Sequence, residues 1–190
     1  MILITGCGRS GTGYTCARLQ KLGMKIGHER IQEDGTVDWY AAAWPKEKLS
    51  QFSVIYHQIR NPLLVIRSCH VITQKSWNII KSEIPVINSS DSLLLKCMKY
   101  YCLWNIMAAR ISSHTFRVED INTFLITKLN FPESQVISKD VDHSTNSRQS
   151  SPQYPLIKWT DIKQESIDVY KLVLDIAISY GYQKSELEDM

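Results

Sequence analysis

The chain opens MILITGCGRSGTG, a short run from Ile2 to Thr5 that empties into a loop holding Gly6, Gly8, Gly11 and Gly13. A largely apolar run of this length, bounded by glycine, reads as a strand buried on both faces of a parallel sheet. Directly after the loop, Tyr14 to Leu22 sets Cys16, Leu19 and Leu22 at helical spacing, and Gly23 stops the helix. Strand, glycine loop and helix in that order commit the chain to an α/β fold. They also make a place for an anion, because loop N–H groups and the helix N-terminus both present positive charge there.

The alternation continues. Met24 to Gly27 reads as a second strand, HERIQEDGTVDW after it as polar and turn-rich, and Ala41 to Ala43 as part of a helix that Pro45 ends. FSVIYHQIR is the clearest strand, rich in β-branched and aromatic residues, and NPLLVIRSCHVI after it has a proline suited to the first turn of a helix. Ser92 to Ile111 reads as a long amphipathic helix, HTFRVED as a fourth strand, and Ile121 to Leu129 as a helix with Asp120 as its N-cap. From Pro132 to Pro155 the composition turns to Ser, Asn, Gln, Asp and Pro, the mark of a long loop. The last helix, in SIDVYKLVLDIAISYGY, carries Val169, Leu172, Val173, Ile176 and Tyr180 on one face. Strands alternating with helices predict a three-layer sandwich around a central parallel sheet. At 190 residues and 44% hydrophobic composition, one domain over 1–190 is expected.

A net charge of +3 suits an anionic ligand but falls short of a nucleic-acid footprint. Cys7, Cys16, Cys69, Cys97 and Cys102 lack the spacings of a zinc site or redox pair and read as free thiols. His57, His70, His114 and His143 show no metal-ligand spacing either. The first strand begins at Ile2, leaving no room for a signal peptide, and no apolar run approaches the roughly 18 residues of a membrane span. A cytoplasmic protein with no membrane span and no nucleic-acid partner is expected.

The loop admits three readings. Gly6, Gly8 and Gly11 satisfy the dinucleotide fingerprint G-x-G-x-x-G, with Glu29 as the acidic residue about 20 positions on, so an NAD(P)-binding Rossmann oxidoreductase is one alternative. A nucleoside triphosphate P-loop fits two glycine registers, but its lysine position holds Thr12 in one and Tyr14 in the other, and only the second supplies a magnesium-ligating hydroxyl, Thr15. In the third, RSGTG resembles the loop of sulfotransferases, which wraps a 5′-phosphate.

Further along, IRNPLLVIRS resembles the 3′-phosphate-binding segment of that family, with Arg60 at the strand end and Ser68 eight residues later. TFRVEDI resembles a third family segment, a strand ending in Glu-Asp before a helix, and LIKWTDI resembles the aromatic and Asp-Ile segment near the C-terminus. Together, and in this order, they make the chain resemble a short, divergent member of the sulfotransferase family. The resemblance is sharpest over residues 2–15, 52–70 and 115–121; Gly13 stands where the family usually has a second hydroxyl residue, and the chain is shorter than most relatives.

The resemblance implies the P-loop NTPase-like sulfotransferase fold, with 3′-phosphoadenosine 5′-phosphosulfate (PAPS) as donor, adenosine 3′,5′-bisphosphate (PAP) as product, and no metal. The acceptor it implies is a small molecule or carbohydrate carrying a hydroxyl. It assigns Arg9 to the charge that builds on the bridging oxygen; Gly8, Arg9, Ser10, Gly11, Thr12, Gly13 and Tyr14 to the 5′-phosphate loop; and Arg60 and Ser68 to the 3′-phosphate. Glu29 is the candidate general base, with His28 as the alternative. Strand alternation lets at most one of these neighbours face the site. Arg148, in HSTNSRQ, is a further candidate for the 3′-phosphate. A shortened relative that binds the nucleotide without catalysing transfer is the third alternative.

Among the remaining residues, Glu119 reads as a buried acceptor and Asp120 as a helix cap. Trp39, Trp44, Trp77 and Trp104 read as core or core edge, with Trp39 also placed to line an acceptor pocket. Ile31 to Trp44 and Trp77 to Ser90 are the stretches expected to choose the acceptor.

Overall fold

The computed structural model describes residues 1–141 and 155–188. Its five-stranded sheet is parallel throughout, in the order β2-β3-β1-β4-β5. The strands are β1 (Ile2–Thr5), β2 (Ile26–His28), β3 (Gly35–Val37), β4 (Val54–Ile59) and β5 (His114–Arg117). The α/β class and the parallel sheet are therefore as expected. One strand is not: β3 lies within the segment that reads as polar turns, and it pairs with β1 on one side and β2 on the other. It is only three residues long, and its first residue, Gly35, has φ +137°; a Cβ there would stand 1.8 Å from the Ile2 carbonyl oxygen. Glycine is required by that close approach, and it hides the strand from a pattern based on apolar side chains.

Contacts divide the described residues into two units. The first takes in Met1–Arg60 and the stretch beginning at Met107; the second takes in Asn61–Ile106 and the C-terminal helices. In the first unit, neighbouring residues of β1 serve opposite faces of the sheet, as the strand period requires. Ile4 packs with Cys16, Leu19 and Leu22 of the α1 (Thr12–Lys21) region and with Ile121, Phe124 and Leu125 of α6 (Ile121–Thr127). Leu3 packs instead with Ala41 and Phe52, backed by Trp44 and by Leu49 of α2 (Lys46–Leu49). Ala41 belongs to a 3₁₀ turn, Trp39–Ala43, where a helix was anticipated through the alanines.

The Pro132–Pro155 stretch is not loop throughout. It begins with α7 (Glu133–Ser138), whose Val136 is fully buried in the α1–α6 core. That burial is coupled to Arg18, whose side chain is 0% exposed. Arg18 Nη1 donates to the Asp140 carboxylate and to the Lys139 carbonyl oxygen (3.1 Å), and Nη2 donates to Asn122 Oδ1 (2.6 Å) and the Val136 carbonyl oxygen (3.2 Å). A buried guanidinium tolerates its desolvation only with such a set of acceptors.

The second unit is helical: α3 (Pro62–Cys69), α4 (Gln74–Glu83), α5 (Leu93–Ile111, in its greater part), α8 (Trp159–Glu165), α9 (Ile167–Ser179) and α10 (Lys184–Glu188). Asn61 caps α3, its Oδ1 accepting from Leu63 N at 3.0 Å, with Pro62 in the first turn as the sequence predicts. On α5, Cys97, Met98, Tyr101 and Trp104 are buried, and Tyr100 meets Trp77 and Trp104 edge-on at 6.0 and 5.3 Å between ring centres. Of the anticipated face of α9, Val173 and Ile176 are buried together with Ala177, and Val169 and Tyr180 are half-buried, while Leu172 is 37% exposed. All five cysteines are free and buried, with burial pushing the thiols of Cys16 and Cys102 up to about 11 and about 12. Among the described residues, no helix is long and apolar enough to cross a membrane.

Candidate functional site

In a parallel sheet the strands all finish at one edge, where open α/β proteins bind their ligands. Here β1 ends in the glycine loop, β2 in His28 and Glu29, β3 in Asp38, and β4 in Arg60. The first unit therefore gathers onto one edge residues that lie far apart in the chain.

The loop closes on itself through Ser10 N donating to the Cys7 carbonyl oxygen at 3.1 Å. Arg9 then takes φ +76° and Gly11 φ +93°, and helix α1 starts at Thr12. Gly11 brings α1 no side-chain cap, and the first turn of the helix has no acidic residue. An uncapped helix start preceded by an arginine suits an external anion. Gly6 is equally constrained: a Cβ there would stand 2.1 Å from the Gln58 carbonyl oxygen, so the loop lies directly on the backbone of β4. From β4, Gln58 Nε2 donates to the Ser10 carbonyl oxygen at 2.8 Å, and Arg60 Nη1 to the Arg9 carbonyl oxygen at 3.4 Å. The Ser10 and Thr15 hydroxyls are buried without a hydrogen-bond partner. Buried polar atoms left in that state are uncommon and concentrate where a protein expects a ligand or stores strain.

The β2 end supplies both candidate bases. His28 Nε2 lies 3.2 Å from Thr12 Oγ1 and 4.0 Å from Glu29 Oε1. The strand stops at His28, and Glu29 turns away from it at φ +56°, so strict alternation does not govern the pair. Arg9 and Glu29 are two of the three non-glycine residues with positive φ among the described residues, the third being Asn130. Such backbone conformations are costly, and they recur where function demands a particular placement.

Other predicted residues sit elsewhere. Tyr14 packs against the α1–α6 core, and its phenol is held above the usual tyrosine range by burial and by the nearby Asp140 carboxylate. Ser68 is a buried residue of α3 in the second unit. Gly8 is buried in the loop and Gly13 is half-buried in the first turn of α1. Arg148, with the rest of HSTNSRQ, lies outside the described residues. Asp120 is the N-cap residue of α6 as expected, but its side chain makes no capping hydrogen bond and its carboxylate lies 3.3 Å from Arg117 Nε; Glu119 is exposed rather than a buried acceptor. Both follow from a 3₁₀ turn, Val118–Asp120, which places this acidic pair before the helix on the surface side.

The sequence alone does not single out Gln58 or Asp38. Gln58 is masked by its place inside a strong strand pattern, and Asp38 by the brevity of β3. Asp38 is 5% exposed; its N–H donates to the Ile4 carbonyl oxygen at 2.9 Å, and its Oδ1 accepts from Tyr40 N at 2.8 Å. Burial, aided by the Glu29 carboxylate, holds its carboxyl above the usual range, against the hydrogen bond from Tyr40 and the charges of Lys48 and His28. Because the raised group binds its proton more tightly folded than unfolded, it costs stability as pH climbs from its ordinary value through the folded one. Asp38→Asn is therefore expected to gain on the wild type between pH 3 and pH 7 in thermal unfolding. An unchanged gap would contradict this account. Next to Asp38, Trp39 and Tyr40 are half-buried and meet edge-on at 5.8 Å between ring centres, at the same sheet edge as the loop.

No protein-family model, no curated protein and no solved structure matches this chain.

Proposed function

We propose that the chain is a sulfotransferase of the P-loop type, with PAPS as donor and a hydroxyl compound as acceptor. The observation that carries the proposal is the loop at the end of β1: an uncapped helix start at Gly11 and Thr12, directly after Arg9, at the ligand-binding edge of a parallel sheet. The buried, unpartnered hydroxyl of Ser10 and the cationic side chain of Arg9 in the same loop make the donor set suit a phosphate that carries a transferable sulfuryl group. When bound, PAPS supplies a sulfuryl group that passes in line to the acceptor oxygen, leaving PAP.

In this proposal Arg9 stabilises the negative charge that grows on the bridging oxygen, acting from a position set before reaction. Gly8, Ser10, Gly11, Thr12 and Gly13 hold the 5′-phosphate through the loop and helix N–H groups and the Thr12 hydroxyl. His28 and Glu29, 4.0 Å apart, supply the base that takes the acceptor proton, with His28 held at the loop by Thr12. Trp39 and Tyr40 lie where an acceptor would approach that base.

The strand order weighs against the dinucleotide alternative. A Rossmann fold sets its second strand beside the first, with the ribose-binding acid at that strand's end. Here β3 intervenes between β1 and β2, so Glu29 ends a strand one place too far from the loop. A binding module without catalysis would share the loop and lack turnover.

Calorimetric titration tests the proposal, with PAP, ATP plus magnesium, and NAD, on the wild type and Arg60→Ala. The expected result is that PAP binds best and without added metal. Arg60→Ala should weaken it about 10- to 150-fold, the size of a lost charge-assisted hydrogen bond of about 1.5–3 kcal/mol. Binding of NAD in place of PAP would overturn it.

A further inference from the structure

Resting on the reading of the loop as a phosphate site, we infer that Gln58 is a positioning residue that aims the Gly11 N–H at the 5′-phosphate. A peptide unit is planar and trans, so its C=O and N–H point in opposite directions. Gln58 Nε2 holds the Ser10 carbonyl toward β4 at 2.8 Å. The N–H of Gly11, in the same peptide unit, is thereby turned to the side away from β4, where the uncapped end of α1 begins.

Arg60, two residues further along, treats the Arg9 carbonyl in the same manner at 3.4 Å. The two bonds differ in what they release. The N–H paired with the Arg9 carbonyl belongs to Ser10 and is already spent on the Cys7 carbonyl oxygen at 3.1 Å. Gln58 therefore acts on the peptide whose donor faces outward, whereas the Arg60 contact steadies the turn that leads to it.

Three further observations bear on Gln58. Its residue is fully buried, yet Oε1 has no hydrogen-bond partner. A lone buried carbonyl oxygen is a cost that a leucine or methionine at this position would avoid, so the amide is retained for its N–H. The fit is also close: a Cβ at Gly6 would strike the Gln58 backbone oxygen at 2.1 Å. Glycine at position 6 lets the loop come down onto the backbone of this residue.

Gln58→Met keeps the length of the side chain and removes the donor. In calorimetry it is expected to weaken PAP about 5- to 30-fold while leaving adenosine 3′-monophosphate, which lacks the 5′-phosphate, unchanged. A purely structural role would lower the melting temperature and leave the ratio of the two affinities where it was; equal weakening of both, or of neither, overturns the inference. The wild type supplies a second measurement should the variant fail to fold. Titration with inorganic phosphate, followed by amide NMR, is expected to move the Gly11 signal more than that of Ser10, and the reverse order overturns the inference. If phosphate moves Gly11 while PAP does not bind, the proposed donor falls and the role of Gln58 at an anion site stands.

Discussion

Asp140→Ala is expected to destabilise the protein by about 3 kcal/mol, read from urea unfolding followed by far-ultraviolet circular dichroism. The reason lies with its partner. Arg18 is 0% exposed, and removal of the carboxylate leaves a buried guanidinium with neutral acceptors alone: Asn122 Oδ1 and the carbonyl oxygens of Val136 and Lys139. Breaking a buried pair from one side costs about 3–5 kcal/mol, and the lower end applies because Asp140 is itself 46% exposed and already shares its charge with water. Arg18→Met should cost less, since it withdraws the buried charge, fills much of the volume, and returns the Asp140 carboxylate to solvent. The order of the two variants is the diagnostic. A loss below about 1 kcal/mol for Asp140→Ala would place this contact with ordinary surface pairs.

If the proposed function is right, Arg9→Ala is expected to lower the rate of sulfuryl transfer about 10²- to 10³-fold, the loss typical of removing one preorganised group that meets charge developing in the transition state. Binding of PAP should fall much less, because the bridging-oxygen charge that the proposal assigns to Arg9 is greatest as the bond breaks. Arg9 occupies φ +76° within a turn closed by Ser10 N and the Cys7 carbonyl oxygen, a backbone hydrogen bond that the substitution leaves in place. The variant should keep the wild-type melting temperature to within a few degrees. Turnover at the wild-type rate would remove Arg9 from the mechanism, and a chain that binds PAP with no turnover in the wild type would be the non-catalytic relative instead.

Four places in the chain show where sequence reading succeeds and where it stops. The glycine loop was legible because its requirements are local: a strand must end, the chain must turn with Arg9 and Gly11 at positive φ, and a helix must begin. Helix α5 was legible for the same reason, its apolar spacing holding over Leu93–Ile111. Strand β3 was not, since three residues led by a glycine carry almost no pattern, and what makes them a strand is the pairing with β1 on one side and β2 on the other. Nothing local to α1 shows why Arg18 is buried; its acceptors come from α6, from α7 and from the residues just after α7, more than 100 positions along the chain.

The sequence by itself determined the α/β class and the strand–loop–helix start. It also put Arg9, Ser10, Gly11 and Thr12 where an anion can be held, because backbone sterics and apolar periodicity act over a few residues. Which distant residues share that edge was decided by tertiary structure. The insertion of β3 between β1 and β2 sets Asp38 next to β1 and moves Glu29 one strand away. The pairing of β4 with β1 lays Gln58 under the loop. Strand order is fixed by how buried surfaces and backbone hydrogen bonds are satisfied together across the whole sheet, and no local stretch of the chain contains that information.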